Sequence, residues 1–276
     1  MKKIGFGLFS VLMGMSLVAC GNNDEGGNAD SAEDKTITVA AQLPTMTDII
    51  EIAAEEAEED GWDVQVAQVN DNVAYNDMVA NEEADANFAQ HEPFMEDYNK
   101  EKDSNLVAVQ PIYDVKIGFY SEDYDDVDDI PDGSTVALPN DVSNEGRALA
   151  ILEDQGLIKL KDNVGYDGRI EDIEENPHEF EWMSVDLLNL PEAYSEPDVS
   201  LVYSYPAYIA KIGLTPEDDA LFLKDRDSDR YAIQLVARED NEDSEKIQVL
   251  KEAMTSDKVR DYLEDEEHKD TSIPTF

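Results

Sequence analysis

The sequence predicts an α/β protein. Short apolar segments rich in β-branched residues alternate with longer segments whose apolar residues recur at helical spacing, an order typical of βαβ units. Thr36–Ala41 predicts a strand, and Ile49, Ile50 and Ala53 fall on one face of the helix that follows. Gly61 is expected to end that helix. The alternation predicts parallel sheets with helices on both faces.

The same patterns predict the remaining elements. Strands are expected at Asp63–Val69, Asp85–Phe88, Leu106–Val109, Lys116–Tyr120, Thr135–Leu138, Glu179–Val185, Val199–Tyr203 and, last, Tyr231–Ala237. A short helix is expected after the second strand, and further helices at His91–Lys102, Ser143–Gly156, near Asp186–Tyr194, Asp243–Met254 and Asp257–Glu266. A turn is expected at Pro131-Asp132-Gly133.

The amino-terminal segment has the layout of a secretory signal. Lys2 and Lys3 precede an uncharged apolar run, Ile4–Ala19, which is too short to cross a bilayer comfortably. Cys20 follows a small residue, an arrangement that resembles a bacterial lipobox, and it is the only cysteine of the chain. We expect residues 1–19 to be a signal peptide and Cys20 to carry palmitate-type acyl chains. An ordinary signal peptide that happens to contain a cysteine is the alternative.

Composition restricts the partners. The chain has 66 acidic against 20 basic residues and a formal net charge of −46. Such acidity argues against nucleic acid and against direct adhesion to an anionic membrane surface. Residues 21–35 are small and polar and predict a disordered tether. With no second cysteine for a disulfide, the folded part depends on its hydrophobic core.

Signatures of catalysis and metal binding are missing. His91-Glu92 does not begin a zinc motif, because Met95 stands where the second histidine belongs. No nucleophile elbow and no phosphate-binding loop occurs. Asp225–Asp229 resembles the start of a calcium loop, but Arg230 replaces the glycine of the sharp turn. We therefore expect no enzyme activity, no cofactor and no bound metal.

One segment suggests anion binding. In Leu138–Arg147 a strand leads through a polar turn into a helix, and free N–H groups at a helix start attract anions. Arg147, one turn into that helix, is placed to bind a carboxylate in bidentate fashion. The alternative is that Arg147 only pairs with surface acids.

Five segments together resemble the methionine-binding lipoproteins of ABC importers, the NlpA/MetQ-type family. The matching segments are Asp85–Phe94, Val136–Leu160, Ile170–Pro177, Ile212–Pro216 and Leu235–Asn241. The resemblance covers nearly all of the chain from Thr36 onward. It implies a two-lobed type II periplasmic-binding-protein fold with the ligand cleft between the lobes. The implied boundaries are 36–115 plus 206–276 for lobe 1 and 116–205 for lobe 2.

The resemblance also assigns site residues. The carboxylate clamp of the family matches Asn144 and Arg147, and its aromatic-Gln-His region matches Phe88, Gln90 and His91. The latter three are expected near the side chain and amino group of the ligand. A buried histidine that merely fixes the start of its helix is the alternative for His91.

Departures from the family pattern concern the ligand. Asn72 stands where the family usually has a tyrosine, with Tyr75 nearby, and Ala89 stands where it usually has a second aromatic residue. The family's asparagine after the strand near Tyr203 is absent, and Tyr205 or Tyr208 is expected to fill its place. Methionine, a related amino-acid derivative and a dipeptide all stay open as ligands.

The expected function is solute capture. The resemblance implies a lipid-anchored protein on the outer face of the cell membrane that delivers methionine or a related compound to an ABC permease with its ATPase. We expect it to act as a monomer. Two alternatives remain: the same fold with a different small ligand, and a surface lipoprotein with an adhesive or scaffolding role.

Overall fold

The computed structural model describes residues 34–224 and 229–276, and Lys35–Phe276 forms one compact unit. The predicted signal peptide, Cys20 and nearly all of the predicted tether lie outside the described residues, as does most of the acidic run at Asp225–Asp229. No helix among the described residues is long and apolar enough to cross a membrane.

The described strands and helices alternate along most of the chain. The strands are β1 (Thr36–Ala41), β2 (Asp63–Gln68), β3 (Ala86–Gln90), β4 (Leu106–Val115), β5 (Ile117–Tyr120), β6 (Thr135–Pro139), β7 (Lys159–Leu160), β8 (Ile173–Glu175), β9 (Glu181–Val185), β10 (Val199–Ser204), β11 (Ala220–Lys224), β12 (Ile233–Arg238) and β13 (Ser272–Pro274). The helices are α1 (Pro44–Glu58), α2 (Ala74–Ala80), α3 (Glu92–Lys102), α4 (Val142–Asp154), α5 (Pro206–Ile209), α6 (Pro216–Asp219), α7 (Glu245–Met254) and α8 (Asp257–Leu263).

Two sheets organise the molecule. The six-stranded sheet has the order β13-β4-β12-β3-β1-β2, and the five-stranded sheet has the order β11-β5-β10-β6-β9. β1 runs parallel to β2 and β3, and β6 runs parallel to β9 and β10. β12 runs antiparallel to β3 and β4, and β5 runs antiparallel to β10 and β11. The sheets are therefore mixed.

The expectation of parallel sheets is wrong for the antiparallel pairs and holds for the others. The parallel pairs come from local βαβ units, whose pattern the sequence displays. The antiparallel pairs join segments far apart in the chain, such as β12 with β3, and a local pattern does not encode such pairing. β13 was missed because three residues are too few to show a period.

The segment near Asp186–Tyr194 and the extent of β4 also differ from the prediction, and the short elements β7, β8, β11, α5 and α6 were not predicted. The helix expected near Asp186–Tyr194 is a 3₁₀ helix at Leu190–Ser195, because the Asp186 carboxylate accepts a 3.0 Å hydrogen bond from the Leu188 N–H and holds a turn ahead of it. β4 continues to Val115 although it contains Pro111. The register between β4 and β12 shifts near that proline, which is where a strand tolerates one.

Burial follows the predicted faces. Ile49, Ile50 and Ala53 of α1 are fully buried and belong to the main hydrophobic core cluster. On α4 nearly every side chain from Ser143 to Leu152 is buried, so this helix is enclosed on all sides. From Ser143 onward α4 thus lies in the interior of the molecule, whereas Val142 at its first position is exposed, and this burial decides the chemistry of the side chains.

Gly146 allows α4 to pack closely against the loop at residues 165–172. A Cβ atom at Gly146 would lie 2.1 Å from the backbone oxygen of Tyr166. Glu145 reinforces the contact, because its carboxylate accepts from the Ile170 N–H at 3.1 Å and lies 3.1 Å from Arg169 Nε. The loop and the helix are therefore held as one unit.

Candidate functional site

A cavity is lined by strands of the six-stranded sheet and by segments that follow strands of the five-stranded sheet. Strands β3, β4 and β12 contribute to it, together with the start of α4 and the segment after β10, and about 60 Å³ is open to the centres of water molecules. Most of its lining is aliphatic or aromatic, with four polar side chains among them. The lining residues are Leu43, Met46, Asn72, Tyr75, Ala89, Gln90, His91, Phe94, Tyr113, Val115, Asn144, Leu187, Tyr205, Pro206, Ala207, Tyr208 and Ile233.

Asp141 sets the start of α4. It is the N-cap residue, and its Oδ1 accepts from the Asn144 N–H at 2.9 Å. The same oxygen accepts from Asn144 Nδ2 at 2.9 Å and from the Ser143 hydroxyl at 3.1 Å. Burial raises the pKa of the Asp141 carboxyl, and these hydrogen bonds oppose that rise. The cap thereby fixes the direction of the Asn144 amide.

Asn144 joins three side chains at the cavity wall. Its Oδ1 accepts a 2.7 Å hydrogen bond from the Tyr205 hydroxyl and lies 3.2 Å from His91 Nε2. Because its Nδ2 donates to Asp141, the oxygen is the atom that faces the other two groups. One amide therefore connects α4 with the start of α3 and with the segment after β10.

His91 is the N-cap residue of α3. Its Nδ1 accepts from the Phe94 N–H at 3.2 Å, so the ring proton belongs on Nε2, where it can donate to Asn144 Oδ1. Burial, aided by the nearby Arg147 charge, lowers the pKa of His91 to about 3. At neutral pH the imidazole is an uncharged hydrogen-bond donor at the cavity wall.

Arg147 lies directly behind the cavity wall. Its side chain is fully buried, Nη1 donates to the Tyr205 hydroxyl at 3.3 Å, and Nη2 lies 3.4 Å from Asp114 Oδ1. The guanidinium carbon is 4.6 Å from the centre of the Tyr231 ring, a cation–π arrangement. The alternative that Arg147 pairs only with surface acids is excluded, because its acidic partner Asp114 is also fully buried.

Gln90 belongs to a buried network of amides beside the cavity. Its Oε1 accepts from Asn76 Nδ2 at 2.9 Å, and its Nε2 donates to Asn87 Oδ1 at 3.0 Å and to Asn76. Asn87 Nδ2 in turn donates to Asn76 Oδ1 at 3.0 Å. The amide of Gln90 therefore ties β3 to α2.

Five of the predicted site residues line the cavity, namely Tyr75, Gln90, His91, Asn144 and Tyr205. Arg147 contacts the lining residue Tyr205 but is absent from the wall itself. Phe88 points into the core, where its ring meets the edge of Tyr113 at 5.9 Å between ring centres. Its contribution is to position Tyr113, which lines the cavity. Cys20 lies outside the described residues.

The residues at which the family pattern is broken also lie at the cavity. Asn72, Ala89 and Tyr205 all contribute to its lining. The Tyr208 hydroxyl is 3.5 Å from Asn72 Oδ1 and links two segments that are 136 positions apart. A neighbouring groove of about 340 Å³ shares Asn72 and Phe94 with the cavity.

Sequence reasoning missed several contributors. Tyr113, Phe94 and Leu187 line the cavity without having been assigned to it. Asp114 was also missed, although an acidic residue within the apolar stretch Ile112–Val115 is a recognisable signal. Among the residues that the structure describes, no group of histidine, cysteine, aspartate and glutamate is arranged to hold a metal ion.

Comparisons with known proteins identify the family of the chain. The family model described as NlpA lipoprotein matches residues 37–276. The D-methionine-binding lipoprotein MetQ of Escherichia coli (strain K12) is 34% identical over 256 residues, which are 92% of each chain. The name of this relative describes a binding protein and not an enzyme.

Solved structures show the same fold. A lipoprotein of the YaeC family from Enterococcus faecalis is 53% identical, with a TM-score of 0.79, covering 88% of this chain and 100% of that one. A nutrient-binding protein from Burkholderia cenocepacia, solved with bound methionine, is 30% identical, with a TM-score of 0.80, covering 87% and 100%. The expected fold of periplasmic substrate-binding proteins is thus confirmed, and the chain belongs to the NlpA lipoprotein family.

Proposed function

We propose that this chain is the substrate-binding protein of an ABC importer and that it captures methionine or a closely related amino-acid derivative. The observation that carries the proposal is the largely apolar cavity whose wall joins His91, Asn144 and Tyr205, with Arg147 immediately behind. Aromatic and aliphatic groups suit a thioether, and the α4 end with its arginine suits a carboxylate. The methionine-bound relative supports this ligand class.

The site residues form two groups under this proposal. Asn144, Arg147 and Tyr205 hold the carboxylate, whereas Tyr75, Gln90 and His91 bound the remainder of the ligand. Phe88 acts only through Tyr113. Since Arg147 is already enclosed by Tyr205, carboxylate binding requires the Tyr205 hydroxyl to share or yield its position.

A dipeptide is the second candidate ligand. Ala89 lines the cavity at a position where the family pattern places an aromatic side chain, and the adjoining groove of about 340 Å³ offers further room. A longer ligand would pass Asn72 and Phe94, which both spaces share. Binding of methionine alone would count against this candidate.

The transport context extends the proposal. We propose two lobes built around the two sheets, with the permease and its ATPase as partners of the closed form. The predicted return to lobe 1 at residue 206 needs a correction, because β11 (Ala220–Lys224) pairs in the five-stranded sheet, so we propose that lobe 2 extends through residue 224. We also propose that the protein acts as a monomer, that Cys20 carries the lipid anchor and that the protein lies on the outer face of the membrane.

Titration calorimetry tests it directly. The purified protein is unfolded and refolded to remove any co-purified ligand, then titrated with L-methionine, D-methionine and glycyl-methionine. A ligand present at 100 times its Kd should also stabilise the fold by about 2.7 kcal/mol. Binding of either methionine enantiomer supports the proposal, binding of the dipeptide alone supports the second candidate, and no binding of any of the three contradicts both.

A further inference from the structure

Asp114 is a buried acid beside the proposed site. It lies on β4 between Tyr113 and Val115, both of which line the cavity. Its side chain is fully buried, its Oδ1 accepts from the Val115 N–H at 2.8 Å, and the same oxygen is 3.4 Å from Arg147 Nη2. An isolated buried charge is costly, so the two charges persist because they are paired.

The pair balances the charge behind the cavity wall. Among the described residues that line the cavity, none is a lysine or an arginine. His91 supplies no positive charge at neutral pH, because burial and Arg147 lower its pKa to about 3. The neighbouring acid Asp141, which accepts from Asn144 Nδ2, is a second acidic group beside this wall. Among the residues that the structure describes, Arg147 is the buried cation behind this wall and Asp114 is its buried acidic partner, whereas the exposed Arg230 adds a weaker charge effect at His91.

We propose that Asp114 sets the charge class of the ligand, so that the site admits zwitterionic amino acids without net charge and rejects anions of the same shape. The inference rests on the proposed function and adds a specificity residue to it. Asp114 acts through Arg147 and not by contact with the ligand. A carboxylate that binds beside Arg147 is repelled by Asp114, and only a ligand that brings its own ammonium group offsets this repulsion.

The magnitude follows from Coulomb's law. Two like charges about 6 Å apart, at an effective dielectric constant of about 20, repel enough to weaken binding on the order of 100-fold. An uncharged residue at position 114 would leave Arg147 without this counter-charge. The same site would then favour an anion.

A matched pair of ligands isolates the effect of charge. Methionine is a zwitterion, and 2-hydroxy-4-(methylthio)butanoate has the same skeleton with a hydroxyl in place of the ammonium group, so it keeps a hydrogen-bond donor but carries a net charge of −1. We expect the wild-type protein to bind methionine about 100-fold more tightly than the hydroxy acid. Equal affinities in the wild type would overturn the inference while leaving the proposed function intact.

Variants at position 114 supply the second measurement. In Asp114→Asn the preference for methionine should fall below about tenfold, because the hydroxy acid gains affinity as methionine loses it. Asp114→Glu keeps the charge and should retain the preference. Ser272→Ala, a buried polar substitution on β13 next to β4, is the control for altered packing and should keep the wild-type ratio.

The outcomes separate the explanations. If Asp114 had only a structural role, both ligands would weaken in proportion in Asp114→Asn and their ratio would stay constant, which overturns the inference. If Asp114→Asn does not fold, the ratio of the affinities for methionine and the hydroxy acid is compared in the wild type and in Asp114→Glu. Equal affinities in the wild type, or a lost preference in Asp114→Glu, would overturn the inference. Failure of the wild type to bind methionine at all would contradict the proposed function itself.

Discussion

The Tyr205 hydroxyl donates a 2.7 Å hydrogen bond to Asn144 Oδ1 and accepts one of 3.3 Å from Arg147 Nη1. One phenol thus stands between the two residues that the sequence predicts as a carboxylate clamp. Tyr205 follows β10, whereas Asn144 and Arg147 belong to α4, so the hydroxyl also fixes the relative position of two segments. The proposed clamp therefore comprises three residues joined by hydrogen bonds and not two.

Tyr205→Phe should weaken both the fold and the site. The substitution leaves the ring in place but removes a buried hydrogen bond to Asn144 and one from Arg147. We expect a loss of about 1–3 kcal/mol in the free energy of unfolding, measured by urea denaturation, with weaker methionine binding by calorimetry. Tyr120→Phe is the matched control, because the Tyr120 hydroxyl is buried without a hydrogen-bond partner in the described part of the chain. A similar loss in both variants would contradict this role of Tyr205.

Arg147→Ala should destabilise the protein as well as abolish binding. It leaves the Asp114 carboxylate buried without its guanidinium partner, at a cost of about 3–5 kcal/mol. The double variant Arg147→Met/Asp114→Leu removes both charges and should recover most of that stability. Thermal unfolding of the single and double variants checks the expectation. If the double variant were no more stable than Arg147→Ala, the ion pair would not be the cause.

His91 should make stability depend on pH in the acid range. Its pKa is about 3 in the folded protein against 6.5 for the free side chain, so below pH 6.5 the unfolded chain binds a proton that the folded chain does not. Stability is then complete above pH 6.5 and falls as the pH drops toward 3, by about 1.4 kcal/mol per pH unit.

The comparison with His91→Gln isolates this contribution, because other buried acids such as Asp141 and Glu145 have raised pKa values and act in the opposite direction. Between pH 7 and pH 5 the wild type should lose about 2 kcal/mol relative to the variant in urea denaturation. A difference that does not change with pH would show that His91 is not held neutral.

Gly146→Ala should destabilise the protein even though alanine is the better helix former. Helix propensity alone favours alanine by about 1 kcal/mol. The new methyl group would meet the backbone oxygen of Tyr166 at 2.1 Å, and backbone cannot rotate away as a side chain can. Overpacking of this kind costs about 1–3 kcal/mol, so a net loss in denaturant midpoint is expected. A gain in stability would mean that the loop at residues 165–172 can shift away from α4 to make room for the methyl group.

Added salt should stabilise the protein. With a net charge of −46 the folded chain repels itself, and ions at molar concentration screen charges beyond about 3 Å. We expect the melting temperature to rise steadily from low salt to 1 M NaCl. Unchanged or lower melting temperatures in NaCl would contradict a role for self-repulsion.

Elements with a local signal were predictable, and those formed by distant pairing were not. The β1-α1-β2 unit follows from its alternating and helical periods, and Gly61, with a φ of +80°, ends the α1 region as expected. The partners of β12 and the short β13 have no such local signal. The strand predicted at Leu106–Val109 continues to Val115, and it passes through Pro111 because the register with β12 shifts there.

The predicted site shows the same division. His91 and Asn144 were identified from their segments, and the structure brings them to 3.2 Å although 53 positions separate them. Phe88 was assigned to the ligand because it matches the family's aromatic-Gln-His region, but its ring is fully buried in the core against Tyr113. The depth of a residue along a strand, which decides whether its side chain reaches the cavity, follows from packing and is not visible in the sequence.

The sequence by itself determined the α/β class, the extreme acidity, the lipobox-like Cys20 and the polar segment at the start of α4, because composition, period and capping are local properties. Only the tertiary structure decided that Arg147 is buried against Asp114 and joined to Tyr205. These contacts cross 33 and 58 positions of the chain. The charge that the proposed ligand meets is therefore a consequence of how the strands and α4 pack, which no local pattern specifies.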